Sequence, residues 1–400
     1  MEGGEEMEIV IVGGGICGLA TALALHRKGI RSVVLERSEH LRATGGGLGI
    51  LANGWRALDQ LGVGSELRQT ALAFHRGQDL SLDTGKQQEI TFWYGEARCL
   101  RRGDLISTLA ESLPAGTLRL GCQVLSIQLD PTTSFPVLHL HNGQIIKAKV
   151  LIGCDGAHSV VADFIGLKPP SFFAIRALRG ITSYPNGHEF PIEFLRIRGK
   201  KGILGMIPID SKEVYWFLLL NGTSLDSNAS KDPKFMQQLA LESTEGFPSE
   251  MLDMIKNSDH NSLSLTQLRY RAPWDILHGN FRKGAITVAG DAMHLMGPFL
   301  GQGGSAGLED AIVLARCLTK KLNEVNPTSG QQLFVKEIGQ AIDSYVKERR
   351  MRLAELSFRS YIVGSLFENP IVVKKFVFVV VMKLFFPDPA NHTRYDCGSL

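Results

Sequence analysis

Glycine and acidic residues stand at the ends of several apolar, strand-like runs in this chain. Gly13, Gly15 and Gly18 follow the first of these runs and open an Ala/Leu-rich helical segment. With this spacing the first glycine permits a tight turn, the second lets a pyrophosphate approach the backbone, and the third lets helix pack on strand. The helix N-terminus offers free N–H groups and a positive dipole end to phosphates. The turn therefore predicts an adenine dinucleotide, with an ordinary strand–helix turn as the alternative.

An acid after the second strand-like run supports this prediction. Residues 32–37 end in Glu36-Arg37, about twenty residues beyond the turn. A carboxylate at this place can accept a hydrogen bond from a ribose hydroxyl. Strand, turn, helix, second strand and terminal acid together are more specific than the glycine pattern alone.

Two further strand-like runs end in an aspartate beside a glycine. One ends in Asp155-Gly156 and the other in Gly290-Asp291, which leads into a glycine-rich loop at 301–305 and a long helical segment. No triad, paired-carboxylate or metal-ligand spacing appears in the sequence, as expected if a bound cofactor carries the chemistry. We therefore predict no metal site.

Composition narrows the class of protein. The 400 residues suggest two or three domains, and 44% hydrophobic with 21% charged residues is ordinary for a globular protein. A net charge of +3 without a Lys/Arg-rich block argues against a nucleic-acid partner. The six cysteines form no C-x-x-C pair and the start is acidic, so we expect reduced thiols, no signal peptide and a cytoplasmic location.

The pattern changes in the middle of the chain. Residues 174–220 read as four strands without a helical period between them, which predicts an antiparallel sheet distinct from the opening nucleotide fold. The expected fold class is α/β: a Rossmann-like cofactor domain with an inserted antiparallel sheet and a helical C-terminus. The predicted division is a discontinuous cofactor domain at 1–70, 97–173 and 271–325, a substrate domain at 71–96 and 174–270, and a C-terminal helical region at 326–400.

The most apolar stretch lies at 371–386 and carries Lys374, Lys375 and Lys383. It falls short of the roughly twenty apolar residues that a membrane-spanning helix needs. Two alternatives stay open: a helix packed on the body of the protein, or a helix that docks on a membrane surface.

In combination and in this order, the three motifs resemble those of the single-component flavoprotein monooxygenases. This aromatic-hydroxylase group includes p-hydroxybenzoate, salicylate and urate hydroxylases and zeaxanthin epoxidase. The resemblance covers about residues 8–350, and the stretch from Gly290 to Ser305 is most similar to plant salicylate-hydroxylase-like members. It implies an FAD-binding domain of the glutathione-reductase type.

The resemblance also implies roles for individual residues. Asp291 is similar to the acid that binds the ribityl chain of FAD, although it could simply cap the following turn. The loop 301–305 would lie against the isoalloxazine, with the next helix directing its positive end at reduced flavin. Arg42 lies in a glycine-rich stretch and is either a phosphate or flavin contact or a solvated side chain. The implied cofactor-binding set is Gly13, Gly15, Gly18, Glu36, Arg37, Arg42, Arg102, Val124, Asp155, Gly156, Asp291, Pro298, Gly301, Gly303, Gly304 and Ser305.

The family's reaction defines the expected function. NAD(P)H reduces FAD, reduced flavin takes up O2, and a flavin hydroperoxide delivers one oxygen atom to a small aromatic or otherwise electron-rich substrate. Two alternatives remain: an epoxidase of an apolar isoprenoid or lipid, and a flavin-binding reductase or regulator without hydroxylation. One departure bears on the nicotinamide. Where the family usually has Arg after Asp-Gly-x-x-Ser-x-Val, this chain has Ala162, which leaves the choice between NADH and NADPH open.

Three residues are candidates for contact with the substrate. Tyr215 and Lys201 lie on neighbouring predicted strands and resemble positions that hold substrate in urate-hydroxylase relatives. The alternatives are a tyrosine packed in the sheet and a solvated lysine. His294, beside the predicted flavin loop, could donate to substrate or instead satisfy a backbone carbonyl. Oligomeric state and substrate identity do not follow from the sequence.

Overall fold

The computed structural model describes residues 5–41, 46–91, 93–222, 232–324, 330–368, 380, 384 and 386–400. The predicted flavin contact Arg42 and most of the apolar stretch 371–386 lie outside the described residues. The elements of the first half are β1 (Glu5–Val12), α1 (Ile16–Arg27), β2 (Val33–Leu35), β3 (Gly47–Leu51), α2 (Ala52–Leu61), α3 (Gly64–Thr70), β4 (Leu72–Ala73), β5 (Gly77–Ser81), β6 (Gln87–Ile90), β7 (Ala97–Arg101), α4 (Arg102–Glu111), β8 (Leu118–Arg119), β9 (Val124–Leu129), β10 (Pro136–Leu140), β11 (Ile145–Gly153) and α5 (Val160–Phe164).

The second half begins with a run of long strands and ends in long helices. Its elements are β12 (Ser171–Ser183), β13 (Phe194–Arg198), β14 (Gly202–Pro208), β15 (Glu213–Asn221), α6 (Pro233–Ser243), α7 (Ser249–Lys256), β16 (Ser264–Tyr270), α8 (Pro273–His278), β17 (Arg282–Lys283), β18 (Ile286–Val288), α9 (Asp291–His294), α10 (Gly303–Glu324) and α11 (Gln331–Glu368).

A largely parallel sheet forms the centre of the cofactor domain. Its strand order is β17-β18-β11-β1-β2-β8, and β9 and β10 extend β11 as an antiparallel meander. β1 pairs in parallel with both β2 and β11, and β11 pairs in parallel with β18. The ends of β1, β11 and β18 therefore meet at one edge of the sheet, which is where an open parallel sheet binds its ligand. Helices α1 and α10 pack against each other beside this sheet.

A second, seven-stranded sheet has the order β16-β12-β15-β14-β13-β5-β6. Its four middle strands agree with the predicted antiparallel sheet at 174–220, because β12, β15, β14 and β13 pair antiparallel in turn. One face of the sheet packs on α6 and α7 around the buried side chains of Trp216, Leu218 and Met206. The opposite face carries the alternating residues Tyr215, Phe217 and Leu219. It is directed toward α11 and toward the loop 298–305, which is named the flavin loop.

The predicted α/β class with an inserted antiparallel sheet and a helical C-terminal region is confirmed. The exact domain boundaries stay a prediction. Among the described residues, none of the helices combines the length and apolar character that a membrane crossing requires. Within the same ranges, no group of three or more His, Cys, Asp or Glu residues is arranged to hold a metal ion.

Candidate active site

The glycine turn is tightly packed against the protein at Gly13 and Gly18, and it leaves open space beside Gly15. Gly13 has φ +106°, and a Cβ there would overlap the backbone of Cys154. A Cβ at Gly18 would overlap the carbonyl oxygen of Gly13, so the third glycine allows α1 to approach the turn. A Cβ at Gly15, by contrast, would meet no described atom within 4 Å. Gly15 is also the N-cap of α1 and contributes no side-chain cap, which leaves the first-turn N–H groups available to phosphate oxygens.

Glu36 lies beside this turn. Its carboxylate accepts hydrogen bonds from the backbone N–H of Gly14 at 2.7 Å and of Ser38 at 3.0 Å. The N–H of Cys122 donates to the carbonyl of Glu36 at 2.8 Å, which brings the start of β9 at Val124 to the end of β2. Glu36 and Val124, both in the implied cofactor-binding set, are therefore brought close together. Arg37, which follows, is exposed.

Asp155 and Gly156 lie at the end of β11, as predicted from the sequence. One carboxylate oxygen of Asp155 accepts from the N–H of Val160 at 2.8 Å, while the other is buried without a protein partner. Burial raises the pKa of Asp155. Ser159 caps α5 by accepting a hydrogen bond from the N–H of Ala162, whose side chain is buried. The position at which the family usually has Arg thus lies inside the fold in this chain.

A basic pair lies next to this motif and was missed by the sequence analysis. Arg269 of β16 contacts the ring of His158 at 2.9 Å, two residues beyond Gly156. The guanidinium of Arg269 also lies over the exposed ring of Phe172, 4.6 Å from its centroid. No motif links these residues in sequence, since Arg269 and His158 are brought together only when the second sheet packs on the cofactor domain.

Asp291 begins α9 directly after Gly290, which has φ +62°. Its side chain is exposed, and no described residue donates a hydrogen bond to its carboxylate. Desolvation by the surrounding protein nevertheless raises the pKa of Asp291, and the nearby charges of His294 and Arg102 only partly oppose this. The Asp291 carboxylate is thus open to solvent on one side and surrounded by protein on the others, as at the floor of a cleft. Arg102, at the start of α4, lies on the same cleft.

The loop from Pro298 to Ser305 forms a second open cradle. A short helical turn, Pro298–Leu300, ends at Gly301 with φ +61°, and α10 begins at Gly303. A Cβ at Gly301 or Gly303 would meet no described atom within 4 Å, and one at Gly304 would reach Leu48 and Ile50 only at ordinary contact distances, 3.7 and 3.9 Å. Ser305 is buried, and its hydroxyl has no protein partner.

His294 lies behind the cleft rather than in it. The imidazole is fully buried and its Nε2 is 2.6 Å from Asp310 Oδ2. Asp310 also accepts hydrogen bonds from the N–H of Gly290 and from Arg349 Nε. The structure therefore places His294 in an ionic cluster that supports the Gly290-Asp291 turn.

Tyr215 reaches the cleft from the second sheet. Its ring lies against Gly46 and Gly47 at the start of β3, where a Cβ on either glycine would overlap it. The ring of Phe217 is 6.2 Å from that of Tyr215 and stacks on Phe194 at 6.4 Å. Burial raises the pKa of Tyr215 despite the opposing charge of Arg179, so the hydroxyl stays protonated at neutral pH.

Lys201 does not join these residues. It precedes β14, whose first residue pairs with Leu220. Leu220 lies five positions along β15 from Tyr215, the partner of Ile207 near the cleft. Lys201 Nζ is exposed and bonded to Glu245 at 2.8 Å. The structure thus separates it from Tyr215 by most of the length of the strand.

The described residues fit FAD. The open glycine cradles at Gly15 and Gly303 lie at the N-termini of α1 and α10, and the carboxylate of Asp291 accepts no hydrogen bond from a described residue. A pyrophosphate needs N–H donors and a ribityl chain needs an acceptor, and both are available without displacing protein atoms. Sequence reasoning also missed the buried side chains of Asn53, Glu309 and Asp310, which hold these turns.

Comparisons with known proteins agree with this geometry. A family model described as FAD binding domain matches residues 6–356. Monooxygenase 1 of Arabidopsis thaliana is 50% identical over 402 residues, covering 99% of this chain and 100% of that protein. Monooxygenase 2 of the same plant is 34% identical, covering 98% of each chain.

Solved structures share the fold. Klebsiella pneumoniae HpxO complexed with FAD and uric acid superposes with a TM-score of 0.78 at 16% identity, covering 97% of this chain and 96% of that one. The tetrameric form of 2-methyl-3-hydroxypyridine-5-carboxylic acid oxygenase superposes with a TM-score of 0.73 at 20% identity, covering 98% and 97%. Because the family model spans most of the chain and the plant relatives align along nearly all of it, the chain belongs to the FAD binding domain family and is an FAD-dependent monooxygenase.

Proposed function

We propose that this monooxygenase uses NAD(P)H and O2 to hydroxylate a small aromatic or otherwise electron-rich substrate, held between the second sheet and the loop 298–305. Bound FAD supplies the redox chemistry, accepting a hydride and activating O2. The protein's own residues bind the reactants, orient them and keep water out.

The observation that carries the proposal is the aromatic face of the second sheet. Tyr215, Phe217 and Phe194 line it, and Phe299 of the flavin loop meets Phe173 of β12 with ring centroids 5.4 Å apart. A planar aromatic molecule would find ring faces and edges there at favourable stacking distances. The protonated Tyr215 hydroxyl can donate one hydrogen bond that fixes the orientation of a phenol or carbonyl oxygen.

The pair His158–Arg269 supports the use of a reduced nicotinamide. A guanidinium can bind phosphate in bidentate fashion, and Phe172 beneath it is exposed and can stack with a planar ring. Asp155, three residues before His158, has a buried carboxylate oxygen without a protein partner. The pair therefore offers a positive charge in place of the arginine that the family usually has at the position of Ala162.

A second candidate function, epoxidation of an apolar isoprenoid or lipid, is favoured by one observation. Between residues 190 and 220 the cleft-facing positions include the aliphatic side chains Ile203, Ile207 and Leu219 beside the aromatic ones. Such a lining suits an apolar substrate as well as a phenol.

A substrate screen tests the proposal. NAD(P)H consumption is measured with phenols, heteroaromatic acids and isoprenoids, together with oxygenated product and hydrogen peroxide. We expect an aromatic substrate to stimulate consumption with product exceeding peroxide. Tyr215→Phe should then raise KM and the share of peroxide, whereas Tyr184→Phe, in the turn after β12, should change neither. Stimulation by isoprenoids alone would favour epoxidation, and peroxide as the sole product with every compound would contradict both.

A further inference from the structure

A fully buried ionic cluster lies behind the two turns of the cleft. Arg349 of α11 donates from Nε to Asp310 and from Nη2 to Glu309, each at 2.7 Å, and all three side chains are 0% exposed. Burial by itself would raise the pKa of both carboxyls, but the nearby cations reverse this, so both pKa values lie below their ordinary range. The cluster is therefore ionised, with its charges paired.

The two acids are neighbours on α10, and each holds a different turn. Asp310 accepts from the N–H of Gly290 at 2.9 Å and contacts His294, which fixes the turn that carries Asp291. Glu309 accepts from Asn53 Nδ2 at 2.6 Å, and the same amide nitrogen donates to Gln302 Oε1 at 2.8 Å.

Gln302 connects this cluster to the flavin loop. It stands between Gly301 and Gly303, whose open faces form the second cradle, and its own side chain is almost fully buried. Because Asn53 holds the side-chain amide of Gln302, the backbone of the two flanking glycines is restricted. Glycines otherwise have wide conformational freedom.

The carboxyl-terminal segment 390–397 joins the cluster from the other side. Arg352 bonds Glu309 at 3.1 Å and donates to the carbonyl of His392 at 2.6 Å. The ring of Tyr395 lies under Arg352, 4.6 Å from the guanidinium carbon. A continuous set of hydrogen bonds thus runs from His392 through Arg352, Glu309 and Asn53 to the flavin loop.

We infer that Arg352 is a positioning residue for the cofactor. It couples the docking of segment 390–397 to the conformation of the loop at Gln302, and so raises the affinity for FAD although Glu309 and Asn53 separate it from the loop. The inference depends on FAD binding and on no particular substrate.

The full-length variant Arg352→Gln tests this coupling. It breaks the link to His392 while Arg349 still neutralises Glu309. The matched control is Arg316→Gln, because Arg316 donates to the carbonyls of Cys397 and Ser399, at and beyond the far end of the segment, and contacts neither His392 nor the cluster. FAD dissociation constants are measured by quenching of flavin fluorescence, and the melting temperature of each apoprotein is measured in parallel.

We expect Arg352→Gln to weaken FAD binding by roughly 5- to 100-fold, within the range of couplings between separate sites. Arg316→Gln should stay within about twofold of wild type, which on the same scale is weaker than a typical coupling. Equal FAD affinity in wild type and a folded Arg352→Gln would overturn the inference, as would an equal loss in both arginine variants.

A double-mutant cycle with Asn53→Ala separates coupling from general destabilisation. If both residues act on the loop through Glu309, the double variant should bind FAD about as weakly as the worse single variant. Additive losses would mean that Arg352 acts by another route, and lower apoprotein melting temperatures with unchanged affinity would mean a purely structural role.

If Arg352→Gln does not fold, Asn53→Ala is compared with Arg316→Gln instead. Unchanged FAD affinity in Asn53→Ala would again contradict the coupling. A wild-type protein that binds no FAD would instead refute the cofactor assignment.

Discussion

Acidification should release the carboxyl-terminal segment through one histidine. The ring of His392 is 1% exposed, donates from Nδ1 to the carbonyl of Pro389 at 2.8 Å, and has a buried Nε2 without a protein partner. Burial, and then the positive charges of Arg359 and Arg352, lower the pKa of His392 to about 4 from an ordinary 6.5. The packed state therefore favours the neutral ring.

The sign and size of the effect follow by linkage. When the segment is released, His392 takes up a proton near pH 6.5, whereas in the packed state it does so only near pH 4. The stabilisation is complete above pH 6.5 and is lost as the pH falls from 6.5 toward 4. Between about pH 7.5 and about pH 5 the packed segment should lose about 2 kcal/mol, or roughly 30-fold in its opening equilibrium.

Hydrogen exchange measures this directly. The N–H groups of Thr393 and Arg394 bond to the carbonyls of Ala390 and Asn391, so their protection factors report opening of the segment. His392→Asn keeps a donor for Pro389 but cannot titrate. Protection should fall roughly 30-fold over this pH interval in the wild type and much less in the variant. An equal fall in both proteins would refute the role of His392, because other titrating groups are common to both.

Three further predictions concern the cleft and the sheet. Asp291→Ala should weaken FAD binding by roughly 10- to 100-fold, the worth of a charge-assisted hydrogen bond, without lowering the melting temperature of the apoprotein; unchanged affinity in a flavin titration would contradict its role. Gly15→Val should abolish FAD binding in a folded apoprotein because its side chain fills the cradle, whereas Gly13→Ala should destabilise the apoprotein itself, and circular dichroism melts distinguish the two. Lys201→Ala should leave both the melting temperature and KM unchanged, since Lys201 and its partner Glu245 are exposed and their ion pair is screened by solvent; a raised KM would mean that Lys201 contacts the substrate.

The parts of the site that depend on local chemistry could be predicted from the sequence. The glycine turn at 13–18 is one example, because strand, turn and helix follow each other directly and only glycine tolerates the approach to Cys154. The strand ends at Asp155 and Asp291 are another. The strands at 174–220 were predictable because their alternation continues without a helical period.

The support behind the cleft could not be predicted in this way. Glu309 and Arg349 lie 40 residues apart, and Asn53 and Gln302 lie 249 apart, so no local spacing links them. Charged residues in helices are usually exposed, and the basic run around Arg349 carries no signal of burial. Lys201 shows the converse: a lysine beside a predicted strand gives no indication of which end of the sheet it occupies.

The spread of the cofactor site along the chain has a consequence for biosynthesis. Its parts extend from the turn at Gly13 to Arg349, and the central strand β1 pairs with β11, which in turn pairs with β18. At about 5–20 residues per second, a ribosome needs roughly 20 to 70 s to deliver the interval between them. Throughout that time the nucleotide turn exists without the helix that fixes the opposite side of the cleft. The support for the cofactor site is therefore complete only in the nearly finished chain, so stabilisation by FAD binding would act after translation has delivered Arg349.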